Sequence, residues 1–506
     1  MFRFRSTFGV VIAPLLMVLC AGMSSAQSAP QQTSQAQPAP ASSSSPNQPT
    51  PGSVTKDSSG PTPAQTQAPR TAATATPKHF LVSGTARAFE FVRQNGTQNA
   101  ANPNREAFNV GGIFHAEYRA LTSPVVVGAS YYGSYPFGVN GANPGFNTHV
   151  DNTLPGFSQS VLGEAYIRYR DKRFDASVGD ETVNWTWAPA SDSRIRPTAF
   201  QVADFNYNVS PTVTFGVSRA TAFLSRTSST FQRNTLLTNS FPGATGNARI
   251  DTSGFIREHV DAKLGAQTTA SVENYTFYDI ANLTYGTIRV GLQPKAYYAP
   301  YIAGQYVAEH NTGRSVLGKI DNNTIGVQIG TSSARNLAFS FGMDSAPVLY
   351  RSVNATSAAN AARGIFLPAG GTSGAALNAP GQFLVPYGGI ASPYSDSYAT
   401  DPLYTTSITQ GAADRRSPGL SFKAAITLQT NNKQLRATFS EAYYDYSNIL
   451  GINRTFEKNA DVTYFFNKIR PGSYKGLSVR ERFADRTQPT LPYDFKYIRS
   501  QLQFDF

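Results

Sequence analysis

Seven arginines lie on the hydrophilic parity of runs that alternate polar and apolar residues: Arg87, Arg168, Arg170, Arg436, Arg480, Arg482 and Arg499. Arginine stays charged at any physiological pH, and its planar fork pairs a carboxylate through two parallel hydrogen bonds. A row of such groups along a wet wall would hold carboxylate-bearing solutes weakly and repeatedly, as passive conduction requires. The alternative is ion pairing with Glu164, Asp461 or Glu481, which would only keep such a wall soluble. A second group, Asp180, Glu181, Asp192, Arg194 and Arg196, sets opposed charges close together in the chain. It would impose a transverse field at a constriction and orient zwitterions, or else brace a loop by ion pairing. Trp185 and Trp187 beside it would line a neck or pack that loop.

Catalysis has little to build on. A serine nucleophile needs a positioned base, and the histidines are His79, His115, His149, His259 and His310. Only His115 falls in a clear alternating run, on the hydrophilic parity. A Gly-x-Ser-x-Gly elbow, a zinc-type His-Glu-x-x-His and a phosphate-binding glycine loop are all missing from the sequence. The expectation is a protein that is not an enzyme and that uses no cofactor or metal.

The elements that must position the arginines are strands. In the last run, Ile498, Leu502, Phe504 and Phe506 share one parity, interrupted by Ser500, while Tyr497, Arg499, Gln501, Gln503 and Asp505 share the other. Period-2 alternation puts these sets on opposite faces of a strand. Phe108 to Ala120 alternates likewise, and a connection around Ser123-Pro124 leads to Val125–Tyr132. Val161, Gly163, Ala165, Ile167 and Tyr169 alternate with Leu162, Glu164, Tyr166, Arg168 and Arg170, before a turn at Asp171-Lys-Arg173. The same design recurs at 325–341 and 422–439. Strands joined by alternately short and long connections, with charged residues in mid-strand on the polar face, predict a membrane β-barrel with a wet lumen rather than a dry sandwich. From His79 to the end, 16 or 18 strands of about ten residues fit the length.

Composition agrees. Arg3 and Arg5, the apolar run from Val10 to Ala21, and Ser24-Ser25-Ala26 form a secretory signal peptide over residues 1–26. The only cysteine, Cys20, lies inside it, which leaves the exported chain without disulfides. Residues 27–78 hold ten prolines and no aromatic residue, and predict a disordered periplasmic spacer. Residues 79–506 form the barrel. No mature segment has 18 consecutive apolar residues, so helical spanning is excluded, while 26 Tyr and 33 Phe suit interfacial girdles. The net charge of +12 in an exported chain points to anionic lipid or anionic solutes rather than nucleic acid.

Several patches resemble a known family. Val178-Gly-Asp-Glu181, Trp187-Ala-Pro189 and Asp192-Ser-Arg-Ile-Arg-Pro197 with Phe200 are similar to the segment of the OprD family of bacterial outer-membrane porins that enters the inward-folded third external loop. Asp401-Pro-Leu-Tyr-Thr-Thr-Ser407 and the stretch from Gly476-Leu-Ser-Val-Arg-Glu-Arg482 to Phe506 also resemble that family. The resemblance implies an outer-membrane barrel of 18 strands, monomeric or loosely trimeric, narrowed by inward loops and lined by a ladder of arginines. It implies small carboxylate-bearing solutes: amino acids, peptides or aromatic acids. The Ala/Gly-rich stretch from Ser352 to Thr400 departs from the family's pattern. A general or sugar-selective porin, or a surface adhesin, are the alternative readings.

Overall fold

The computed structural model describes residues 79–94, 104–119, 123–136, 154, 156–190, 194–238, 249–293, 298–317, 320–331, 336–346, 349–354, 382–387, 389–390, 392–394, 401–409, 411–412, 419–445, 454–466, 476–487 and 494–506. The signal peptide and the spacer read from the sequence lie outside them, as does Asp192.

Eighteen strands form one antiparallel sheet in which each pairs with its neighbours in chain order. The first, Phe80–Gln94, also pairs with the last, Phe495–Asp505, from Thr85↔Asp505 to Gln94↔Lys496, so the sheet closes on itself. Closure leaves no edge, which a spanning sheet needs because lipid offers backbone groups no hydrogen bonds. Connections are short at one end, as at 171–173, 211–212 and 430–434, and mostly longer at the other, as at 182–198 and 346–419. The short-turn end is the periplasmic one in barrels of this kind. At the first of these turns the Asp171 carboxylate accepts the N–H groups of Phe174 and Arg173, at 2.8 and 2.7 Å, which holds its carboxyl below the usual carboxylate range.

Alternation along the strands sends apolar side chains outward. Phe80, Phe114, Val127, Ile167, Val178, Val272, Ile325, Phe339, Leu502 and Phe504 all stand exposed on the outer wall. A soluble protein does not display an apolar band of that extent; a barrel in lipid must. In the last strand Phe504 packs on Phe506, whose ring covers Gly84 of the first strand. Phe506 and Gly84 exchange both backbone hydrogen bonds, at 3.0 and 3.1 Å, and so complete the seam.

One parity expectation is corrected. The pairing steps from Ser130↔Glu164 to Tyr131↔Leu162, so Gly163 is an extra residue that pairs with nothing. This bulge turns Leu162 outward, 55% exposed, while Glu164 stays inward. A side chain at Gly163 would drive a Cβ to 2.2 Å from the buried Tyr132 ring, so the bulge requires glycine here.

The packed core lies inside the external half of the barrel. Trp185, Trp187, Phe200, Phe223, Phe255, Tyr275, Phe277 and Tyr394 form one buried cluster that joins two inward loops to the wall. Phe255 meets Trp185 edge-on, with centroids 5.7 Å apart, and stacks on Tyr394 at 5.5 Å.

Candidate lumen site

Two long connections fold into the lumen, and buried carboxylates on the wall hold them. The segment 182–198 starts with the N–H of Thr182 on Glu164 Oε1 at 2.8 Å. Further on, Thr186 Oγ1 donates to Glu273, and the N–H of Trp187 donates to the Tyr275 hydroxyl at 3.2 Å. Arg257 balances Glu273 at 2.9 Å. The second segment is 401–412. Asp344 Oδ2 accepts both the N–H and the hydroxyl of Thr405, at 2.8 and 2.7 Å, and Glu457 receives the same pair from Thr409, at 2.8 and 2.5 Å. Tyr444 donates to the carbonyl of Thr405 at 2.7 Å. Each carboxylate is thus satisfied by loop donors. Thr405 of the Asp401–Ser407 motif and Thr409 just beyond it are the residues that dock, which is why hydroxyl residues are needed there.

Inner-parity arginines gather at the seam. On the strand Gly476–Arg486 they are Arg480, Arg482 and Arg486; on Phe495–Asp505, Arg499; on Phe80–Gln94, Arg87 and Arg93. The acid on the inner faces of these three strands is Asp505. Asp461, on the adjacent strand Thr455–Phe465, reaches into the row and accepts from Arg480 Nε at 2.8 Å and from Arg482 Nε at 2.7 Å. Aromatic faces carry the rest of the row: Arg499 lies 5.1 Å above Phe89, and Arg194 lies 4.4 Å above Phe91. Arg87 donates to Gln503 Oε1 and to the carbonyl of Arg194, both at 3.0 Å. The inward loop therefore rests on the arginine row. Arg480 is 29% exposed on the periplasmic side of that contact, while Arg482, beneath the loops, is 3% exposed.

The remaining arginines of the sequence analysis lie elsewhere. Arg168 pairs with Glu181 at 2.5 Å and lies 3.7 Å from Asp175; Arg170 pairs with Asp175 at 2.6 Å. These form a separate patch on the strands Gln159–Arg170 and Phe174–Glu181. Arg436 is on the inner parity near the periplasmic turn 430–434, between Gln429 and Thr463 in register. Of the proposed ion-pair partners, Asp461 does pair with arginines of the row. Glu164 instead binds Ser130 and Thr182, and Glu481 points outward, accepting from Ser500 at 2.7 Å.

The constriction group divides. Glu181 is buried and braces Arg168. Arg196 is fully buried and donates to the Arg226 carbonyl and to Gln159 Oε1, each at 2.9 Å, tying one external loop to the next. Asp180 does not border the lumen: it pairs in register with Ala165 and Gln201, on the parity of the lipid-facing Val178 and Ile167. Gly179, with φ +137, precedes it without shifting the register. Trp185 and Trp187 are core residues of the loop, not a slide.

The acids that do face the lumen across from the row were missed in the sequence. Asp261, 51% exposed, is on the inner face of Phe255–Lys263, halfway round the barrel from Gly476–Arg486. Asp204 lies on Ala199–Ser210, held by Ser218 at 2.5 Å and Asn206 at 2.8 Å. Their parity was readable; that the barrel sets them opposite the arginines was not.

No family model and no curated protein matches this chain. Solved structures do. Pseudomonas aeruginosa OpdK, determined with vanillate, aligns with TM-score 0.62 and 11% identity over 84% of this chain and 98% of that one. P. aeruginosa OccK2 (OpdF), in complex with glucuronate, aligns with TM-score 0.60 and 13% identity over 84% and 98%. A BenF-like porin from Pseudomonas fluorescens Pf-5 gives 0.62 and 11% over the same shares. This chain has the fold of the OprD family of outer-membrane porins. With its closed sheet and apolar outer band, it is a barrel of the bacterial outer membrane.

Proposed function

We propose that this protein is a passive channel that admits small hydrophilic solutes bearing a carboxylate, such as amino acids, short peptides or aromatic acids, in preference to neutral sugars. The observation that carries the reading is the seam: six inner-parity arginines on three adjacent strands, with Asp505 as the acid among them. Low-dielectric walls focus the potential of such a row and concentrate carboxylates at it. Asp261 and Asp204 across the lumen give the opposite sign, so a zwitterion would be oriented and a plain anion admitted less readily. Vanillate and glucuronate, named with two barrels of this fold, each carry a carboxylate.

The test is swelling of proteoliposomes with glycine, vanillate, glucuronate and glucose, for the native protein and Arg480→Gln. The carboxylates should enter faster than glucose. The substitution should slow them several-fold with little effect on glucose, more visibly at low salt, where screening is slight. Equal entry of all four solutes, unchanged by the substitution, would leave a general porin. A barrel that folds yet gives no conductance in planar bilayers would be a surface scaffold.

A further inference from the structure

A cleft of about 490 Å³ opens at the external ends of the strands Ala199–Ser210, Val213–Leu224 and Phe255–Lys263, on the barrel's outer wall. A bulge makes room for it: pairing steps from Gln201↔Ala222 to Val202↔Ala220, leaving Thr221 extra. The cleft contains Arg219, Arg233, Phe231, Ala222 and Gln201. Arg219 is on the outer parity, the side of lipid-facing Phe215, whereas its neighbours Ser218 and Ala220 are buried inside.

The Arg219 guanidinium is fixed. Nη1 donates to the carbonyl of Phe255 at 3.0 Å and to that of Ala220, Nη2 donates to the carbonyl of Ser253, and the group lies 4.9 Å from the Tyr278 ring centre. Carbonyl dipoles hold a cation in place without cancelling its charge. Among the described residues no carboxylate lies within ion-pair distance of Arg219. Arg233, 58% exposed at the rim, is 3.3 Å from Asp251. On the far side, Asp180 lies opposite Gln201 in register, so the amide stands between that acid and the arginines.

Depth identifies the occupant. Toward the periplasm the adjoining outer positions are apolar: Phe215, Val260 and Val272. Nearer the cleft they turn polar, with Glu258, exposed and in register with Val217 and Asn274, and with Asn274, Asn282 and Thr284, joined by hydrogen bonds of 2.9–3.1 Å; Ile256, in register with Arg219, stays apolar. The cleft therefore sits where acyl chains give way to headgroups on the external side, and it combines fixed positive charge with an apolar flank.

We propose that the cleft binds the phosphate-bearing headgroup of an outer-leaflet lipid, with Arg219 as the fixed cation, Arg233 as the second, and Phe231 and Ala222 against the first apolar part of the molecule. This rests on the orientation of the barrel in the outer membrane and not on the solute reading. Full-length protein in detergent, offered bis-phosphorylated lipid A, should retain it in native mass spectra. Dephosphorylated lipid A should bind at least tenfold more weakly, and inorganic phosphate at millimolar concentration should not displace the lipid. Arg219→Gln with Arg233→Gln should abolish retention. Because Arg219 also pins the turn before Phe255, Arg233→Gln alone is the second variant, expected to bind several-fold more weakly with unchanged conductance. Equal retention of the two lipid A forms, displacement by inorganic phosphate, or native-like binding by a folded Arg233→Gln barrel would each overturn the proposal.

Discussion

At the scale of single residues, a side chain's parity matters less than what stands beside it on the neighbouring strand. Asp461 shows this: its two oxygens are shared between Arg480 and Arg482, so one carboxylate keeps two like charges together on one strand. Removing one partner of such a cluster leaves the others uncompensated, a loss of ~3 kcal/mol where the group is buried and less here, since Asp461 and Arg480 are part-exposed. Asp461→Asn is therefore expected to lower the denaturant midpoint of the reconstituted barrel and, at the same time, to raise anion over cation permeability in reversal-potential measurements. An unchanged midpoint with unchanged selectivity would show that the carboxylate serves neither the wall nor its field. Arg168 and Arg170, each already matched by Glu181 or Asp175, should alter selectivity less than Arg480 does.

At the scale of elements, two departures from plain alternation have physical causes. Gly163 is the extra residue of a bulge against the Tyr132 ring. Gly163→Ala should cost ~1–3 kcal/mol as overpacking and reduce the yield of heat-modifiable folded barrel; full yield would mean that Tyr132 moves aside freely. Ser500, which interrupts the apolar parity of the last strand, faces outward and donates to Glu481, and each is the sixth residue of its eleven-residue strand. A polar pair at mid-height on the lipid face adds little stability, since a charged side chain there costs up to ~2–4 kcal/mol for Lys or Arg and less for Glu. Glu481→Leu with Ser500→Val should leave the unfolding midpoint in vesicles equal or higher. A clear drop would show that another protein surface, not lipid, covers this patch.

At the scale of the whole molecule, closure is one contact among eighteen, yet all others depend on it. Phe506 exchanges two backbone hydrogen bonds with Gly84 and seals the seam with its ring. Its deletion removes both bonds at the site where the first and last strands meet. The expected outcome is lower surface accumulation of folded barrel with accumulation of unfolded chain in the periplasm. Normal surface levels would place the aromatic's value at no more than its own burial of ~1.5–3 kcal/mol.

The sequence by itself determined that strands would form, most of the residues that face outward, and the inner parity of the seven arginines, though not the faces of Leu162 or Asp180. Those properties follow from a two-residue period and from turns that each strand carries locally, as in Asp171-Lys-Arg173 and the closing run to Phe506. The Asp401–Ser407 motif was visible as well, although its purpose, giving the hydroxyl and N–H of Thr405 to Asp344, was not. Only the tertiary structure decided which charges meet. Arg87 and Gln503 lie more than 400 residues apart and become hydrogen-bonded partners solely because the sheet closes, while Asp180 and Glu181, adjacent in the chain, end on opposite sides of the wall. Period fixes the face of a strand; shear, bulges and closure fix its neighbours, and those depend on pairings that no local stretch of residues encodes.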